Sequence, residues 1–398
     1  MTESPIASLA VDDGFHDGDW VESKDQDPGG TIRLLQLADV GDGFFRDRSD
    51  RRVNQETFER LKCSPVLAGD VLIARMPDPL GRACLVPDGL GPTITVVDVA
   101  VLRCDPTRVD RRYVMYAINA LPTRGRMERL QDGATRQRIP RKVLGRVRIP
   151  IPDMTEQRLI ADYLDRETAQ IDSLIVEQQR LVDLLQERRE AVAATHFVRS
   201  AGKRDTTVRR VLRPLSRPAA PGLGVITAYR DGVVTLRSNR RDDGYTFSDT
   251  EHGYQEIRQG DLVFHALDGF AGAIGISDSH GNATPVYHVC EPIAGDDPGY
   301  LAMLLRYLGV SGFLATQAPN VRERSVDFRN WSMLARIPLM LPSPDEQRAV
   351  VAEVQTQTSR ISTLVAEAER FIELSRERRT ALIAAAVTGQ IDVRTGAA

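Results

Sequence analysis

The feature that most constrains this chain is that it contains itself twice. Slid by 190 positions with no gap, residues 152–194 align on 342–384. Identical pairs include Pro152/Pro342, Glu156/Glu346, Gln157/Gln347, Arg158/Arg348, Ile171/Ile361, Leu174/Leu364, Glu177/Glu367, Arg180/Arg370 and Leu184/Leu374. The run Glu187-Arg188-Arg189 falls on Glu377-Arg378-Arg379, and Ala191 and Ala194 fall on Ala381 and Ala384. An ungapped self-match of this length is a duplication, so both copies are expected to fold alike.

Both copies read as long helices. Asp153 and Ser343 each stand three residues before a glutamate, Glu156 and Glu346, which is the capping-box spacing. Pro344 fits the first helical position, where its missing N–H costs nothing. No Gly or Pro follows until Gly202 and Gly389, giving helices of roughly 45 residues, about 65 Å long. Apolar residues recur at heptad spacing along two lines per helix. In the first copy these are Leu164, Ile171, Leu185 and Val192, then Ile160, Leu174 and Leu181. In the second they are Val354, Ile361, Ala368 and Leu382, then Val350, Leu364 and Phe371. Such seams need a partner, and the two helices are expected to supply it to each other, antiparallel.

The segments before the helices repeat more faintly. Gly69-Asp70 leading into Val71-Leu72-Ile73 matches Gly260-Asp261 leading into Leu262-Val263-Phe264, and Gly81 falls on Gly272. A turn, a strand, a glycine turn and a second strand (84–86; 274–276) are followed by a helical stretch (112–120; 300–308). Residues 1–28, rich in Asp, Ser and Gly, are expected to be loosely ordered, with a first strand beginning at Trp20-Val21. The fold class expected is α+β. Two similar mixed α/β domains are separated by two long helices forming an antiparallel coiled coil, with pseudo-twofold symmetry. The divisions are 1–150 and 203–341 for the domains, 151–202 and 342–389 for the helices, and 390–398 for a tail.

Composition removes several function classes. The four cysteines, Cys63, Cys84, Cys104 and Cys290, form no CxxC, and the six histidines show no metal-ligand spacing, so neither disulfide framework nor metal site is expected. No apolar run spans a membrane and the first residues lack a signal-peptide pattern, which suits a cytoplasmic protein. The net charge of −3 is unhelpful for nucleic acid, but it is patterned. The helices carry the acidic excess, whereas 124–148 holds nine bases against Glu128 and Asp132. No G-x-x-x-x-G-K-[ST] provides an ATP loop. No Asn/Asp-Pro-Pro-aromatic string provides an amino-methyltransferase loop. Glu22 and Lys24 after Asp12 and Asp13 echo a nuclease pattern only as far as chance allows.

Taken in order, the motifs are DGDWVESKD (17–25), GDVLIAR (69–75), RIPIPDMTEQRLIADYLD (148–165) and ERR (187–189). The second half gives YQEIRQGDLVFHALDGFAGAIGIS (254–277), TPVYHV (284–289), LPSPDEQRAVV (341–351) and ERR (377–379). Over nearly the whole length the chain resembles the specificity subunit of type I restriction–modification enzymes. That resemblance implies a non-catalytic subunit with two target-recognition domains, each reading half of a bipartite, asymmetric site in double-stranded DNA. It implies helices that set the unread spacer and dock two methyltransferase subunits, with a motor–nuclease subunit as a further partner. S-adenosylmethionine, ATP and Mg are then expected in those partners, and no cofactor in this chain. A non-enzymatic coiled-coil scaffold whose duplicated domains bind protein is the alternative.

Base-edge and phosphate contacts call for Arg, Lys, Asn or Gln on loops and strand ends. The candidates are Arg46, Arg75, Arg124, Arg126, Arg136, Arg138 and Lys142 in the first domain. In the second they are Arg237, Asn239, Arg240, Arg241, Tyr245, Asn320, Arg322 and Arg324. The candidates for partner contact on the helices are Arg158, Arg188, Arg189, Arg348, Arg378 and Arg379. Glu156 and Glu346 are read as capping residues, and His265 as a core residue.

Overall fold

A computed structural model describes residues 2–77, 79–130, 138–199, 204–240, 253–293, 295–317, 321–322 and 325–394. The first half runs β1 (Thr2–Pro5), β2 (Ala10–Asp17), β3 (Ile32–Leu35), β4 (Arg52–Val53), α1 (Gln55–Leu61), β5 (Val71–Ala74), β6 (Ala83–Leu85), β7 (Thr93–Thr95) and β8 (Val99–Cys104). Then come α2 (Arg111–Asn119), α3 (Leu121–Glu128), α4 (Arg141–Leu144), β9 (Arg148–Ile151) and the long α5 (Met154–Arg199). The second half runs β10 (Arg204–Thr207), α6 (Val208–Val211), β11 (Leu212–Leu215), β12 (Ile226–Ala228), β13 (Val234–Leu236), β14 (Gln255–Ile257), β15 (Leu262–His265) and β16 (Ile274–Ile276). It continues through β17 (Gly281–Ala283), β18 (Tyr287–Pro292), α7 (Pro298–Val310), α8 (Phe313–Gln317), β19 (Val321–Arg322), β20 (Ser325–Val326), α9 (Trp331–Leu334), β21 (Pro338–Leu341) and the long α10 (Pro344–Val387).

Packing divides the chain into two units, Met1–Gln179 with Glu369–Ala398, and Arg180–Ala368. Each is built on a four-stranded antiparallel sheet, ordered β2-β8-β5-β6 in the first and β11-β18-β15-β16 in the second. The registers coincide under the repeat. Val71 pairs with Leu85 and Leu102, and Leu262 pairs with Ile276 and Cys290. These strands read as unbroken apolar runs because both faces of the sheet are covered. In the first unit Val71, Ile73, Ala100 and Leu102 point to the core containing Tyr113 of α2 and Leu164 of α5. Leu72, Ala74, Val99 and Val101 point the other way, into a core with Leu35 and Val40. In the second, Leu262 and Phe264 face Tyr300 and Leu301 of α7, while Val263 and Val289 face Ile226, Val234 and Ile257.

The Gly-Asp turns recur atom for atom. Asp70 accepts the N–H of Leu67 at 2.8 Å, and Asp261 accepts that of Arg258 at 2.7 Å. Gly69 and Gly260 adopt φ of +84° and +91°, in the left-handed region that favours glycine.

The N-terminal segment departs from expectation. Thr2–Pro5 forms β1, paired antiparallel with β9, and Ala10–Asp17 forms β2, whose register shifts between Ala10 and Phe15. Two apolar residues in the intervening turn, Ile6 and Leu9, anchor the segment and are fully buried. β10 pairs with β21 in the same way, so in both units the first strand lies along the last.

The long helices of 46 and 44 residues pair antiparallel within each unit. In the first, Ile160 and Leu164 near the start of α5 share a core with Ile383, Ala386 and Val387 near the end of α10. In the second, Val192 late in α5 packs with Val354 and Ile361 early in α10. The first of the two expected apolar lines is this seam. The second is only in part: Ile160 and Val350 pack in these cores, whereas Leu174, Leu181, Leu364 and Phe371 are 42–47% exposed. A two-stranded pair buries a stripe narrower than the apolar positions these helices offer.

Each long helix is fastened to its domain by one buried glutamine. The side chain of Gln157 accepts the Asp110 N–H at 2.9 Å and donates to the Pro152 carbonyl at 2.9 Å. Gln347 accepts the Asp297 N–H at 2.8 Å and donates to the Pro342 carbonyl at 3.0 Å and to Asp296 at 2.7 Å. Asp110 and Asp297 in turn cap α2 and α7. The glutamates three residues after the caps differ. Ser343 and Glu346 close a reciprocal capping box, whereas at Asp153 the structure shows its carboxylate accepting the Glu156 N–H at 2.9 Å. Replacing Gln157 or Gln347 by Ala leaves a buried N–H and carbonyl unpaired. Each change is expected to lower stability by about 1–3 kcal/mol in urea unfolding; a loss under about 0.5 kcal/mol would contradict the fastening role.

Candidate nucleic-acid interface

The first unit presents a basic loop whose backbone is held from inside. The fully buried carboxylate of Asp39 accepts the N–H groups of Gln36, Arg48 and Ser49, each at 2.7 Å. Arg33 grips the same loop through the Ser49 carbonyl at 2.9 Å and through Asp47. The loop between β3 and β4 therefore carries Arg46, Arg48 and Arg51 on a fixed backbone, and Arg52 opens β4 beside them. Arg48, Arg51 and Arg52 are exposed, and Arg46 lies half-buried with its guanidinium 5.6 Å from the exposed ring of Phe44. Of these four, the sequence reading singles out Arg46 alone. The missed signal is Arg46-Asp-Arg-Ser-Asp-Arg-Arg52, leading into β4, in which the interleaved aspartates hide the basic cluster from a charge count.

Two first-domain candidates are structural. Arg75 is 5% exposed, ion-paired with Asp17 and donating to the carbonyls of Ile139 and Val97 at 3.0 Å. Arg124 is 7% exposed and spans Asp42 and Asn119, the latter at 2.7 Å. Neither guanidinium is offered to a groove. Arg126 pairs with Glu3 at 2.8 Å and Arg138 with Asp98 at 3.2 Å, both partly exposed. Arg141 donates to the Phe15 carbonyl at 2.7 Å. The basic stretch 124–148 thus largely ties the domain's own chain together, and its exposed cations are Arg129, Lys142, Arg146 and Arg148. Arg136 lies outside the described residues.

In the second unit Arg237, Asn239 and Arg240 sit together just after β13. Asn239 donates to Thr235 at 2.8 Å; Arg240 pairs with Asp231 at 2.6 Å and lies 4.6 Å from the Tyr229 ring. Arg237 is half-buried beside Thr227, at 3.4 Å. Arg322 belongs to β19, and nothing is described of its side chain. Arg241, Tyr245, Asn320 and Arg324 lie outside the described residues. His265 is a structural imidazole: its Nδ1 accepts the N–H of Leu267 at 3.2 Å and of Asp268 at 3.0 Å. Burial pushes its pKa below the ordinary 6.5.

On the helices, Arg158, Arg188, Arg189, Arg348 and Arg378 are exposed, Arg348 being paired with Asp345. Arg379 differs. It is 11% exposed, bridges to Asp172 of α5 at 2.9 Å and lies against Gly43, so it joins the two helices instead of facing outward. Exposed apolar positions on the helices include Leu174, Phe371 and Leu374 in the first unit, and Leu181, Leu184 and Leu364 in the second; of these the sequence reading placed Leu174, Leu181, Leu364 and Phe371 in the seam. Under the repeat the two sets are the same three positions, present once in each unit.

Among the described residues no group of three His, Cys, Asp or Glu is placed to hold a metal, and no helix is long and apolar enough to cross a membrane. No family model matches the chain. No curated protein matches it either. Solved structures do. One chain, from work on complex assembly and conformational transition of the type I R-M system, superposes with a TM-score of 0.72 over 97% of both chains at 12% identity. The HsdS subunit from Thermoanaerobacter tengcongensis superposes with a TM-score of 0.56 over 98% of this chain and 97% of its own, at 13% identity.

The chain has the HsdS fold. At this identity the likeness is one of architecture, and it covers both domains and both long helices. The short strands of this chain leave many loop carbonyls to satisfy, and guanidinium groups reach several at once. Arg124→Gln is expected to lose about 2 kcal/mol in urea unfolding, because Asp42 and Asn119 lose a charged donor. Lys142→Ala should stay within about 0.5 kcal/mol of the parent; equal effects would return Arg124 to the exposed class.

Proposed function

We propose that this chain is the sequence-specific DNA-recognition subunit of a type I restriction–modification complex and is itself non-catalytic. Each recognition domain reads one half of a bipartite, asymmetric site. The paired helices set the unread spacer and dock two methyltransferase subunits, and a motor–nuclease subunit completes the assembly. S-adenosylmethionine, ATP and Mg belong to those partners, and the assembly works in the cytoplasm. The observation that carries this reading is the full-length match to the HsdS fold, in which the same domain-plus-helix unit occurs twice. Two features of the chain support it. The preset loop 46–52 suits contact with a phosphate backbone, and exposed leucines at equivalent repeat positions suit two copies of one helical partner.

The test is methylome sequencing of cells that express the chain with its methyltransferase partner. One asymmetric motif with adenine methylated in two half-sites and a fixed spacer is expected. Lengthening both helices by one turn, about 5.4 Å, should then move the spacer by about one to two base pairs at ~3.4 Å per step. A protein-binding scaffold would leave no motif at all.

The loop makes a separate prediction. Arg48→Ala, Arg51→Ala and Arg52→Ala should each weaken duplex binding uniformly across sequences. Each should also lower the slope of log K against log salt by about 0.9 where a phosphate contact is lost. Unchanged slopes in all three would remove this loop from the interface.

A further inference from the structure

The two units treat one repeat position differently. Arg379 bridges to Asp172 across the helix pair in the first unit. The repeat equivalents in the second unit are Arg189 and Ser362, so the arginine is kept and its carboxylate is gone. Arg189 is exposed, and it lines an open cavity of about 380 Å³ bordered by α5, α7, α10, β16 and the turn after β12.

Two further arginines reach that cavity, Arg240 and Arg306. Arg240 is engaged by Asp231. Arg306 is half-buried; its Nη2 donates to the Arg230 carbonyl at 3.3 Å, and its buried Nε has no hydrogen-bond partner. Gly232, at φ +89°, lies so close to this guanidinium that a Cβ there would stand 2.9 Å from Nε. The backbone at Gly232 is thus pressed against the arginine while its Nε stays unsatisfied. Two carboxylates, Glu190 and Asp231, face the same space. Three guanidinium groups against two carboxylates leave one positive charge in excess, and desolvation already disfavours charge on Arg306. A buried N–H without an acceptor is costly, and an oxyanion entering the cavity meets the guanidinium groups of Arg189 and Arg306 already in place. The remaining wall mixes the apolar Ile274, Ile276, Met303 and Val354 with the polar side chains of Gln355 and Thr358.

We propose that this cavity of the second unit is a phosphate-binding site, with Arg189 and Arg306 as its donors. The phosphate is either a free small anion or a group of the bound duplex. Full-length chain is titrated calorimetrically with inorganic phosphate, sodium chloride being varied to hold ionic strength constant. One-to-one saturable binding is expected, weakened about tenfold or more in Arg189→Ala, whose exposed side chain can be removed without disturbing the core. Ser362→Asp restores the counter-charge found in the first unit and is expected to weaken phosphate binding while raising the melting temperature. In a parallel arm, a salt slope of duplex binding lowered by about one in Arg189→Ala would identify the duplex as the source of the phosphate. The proposal is overturned if neither arm responds to Arg189→Ala, or if Ser362→Asp binds phosphate as well as the parent.

Discussion

A side-chain amide with no charge does more to shape this molecule than any ion pair. Gln157 and Gln347 each join three pieces of chain: the peptide before a long helix, that helix's first turn, and the cap of the helix packed on the central sheet. A long helix leaving a domain needs a defined direction, because a small angular error at its root grows with every turn. Burying a carboxamide whose donors and acceptor are all satisfied supplies that definition. The antiparallel seams, with Ile171, Val182 and Val192 buried on one helix and Val354, Ile361 and Ile372 on the other, follow from helices that start where the glutamines hold them.

Much of this was legible in the residues. The ungapped repeat located both long helices, and the Gly-Asp turns located β5 and β15, because glycine at positive φ followed by a turn-closing aspartate is a local signal that needs no tertiary context. What escaped depended on context. β1 and β2 are too polar to look like strands, and only Ile6 and Leu9 betray that they are pinned to a core. The second apolar line of each helix was read as seam because periodicity reports which residues share a face and not whether anything covers it. Leu174 and Leu364 satisfy the pattern and still face outward.

The candidate site was harder, and arginine is the reason. A guanidinium with five donors serves equally to cross-link loops and to meet phosphates, and composition cannot separate the two uses. Arg75 and Arg124 proved internal, whereas Arg48 and Arg51, on a loop fixed by the buried carboxylate of Asp39, and Arg52, at the start of β4, stand outward. The distinguishing information is the location of the counter-charge. Asp17 and Asp42 lie far from their arginines in sequence, and only the folded chain shows those pairs.

The strand pairs that close each domain carry an evolutionary consequence. Thr2 lies opposite Ile151 and Arg204 opposite Leu341, so each domain begins and finishes on one hydrogen-bonded ladder beside the root of a helix. A segment with adjacent ends is a cassette. Genetic crossovers within the codons for these ladders would deliver a foreign domain onto unchanged helices, so the domain and the helix pair can change independently of each other.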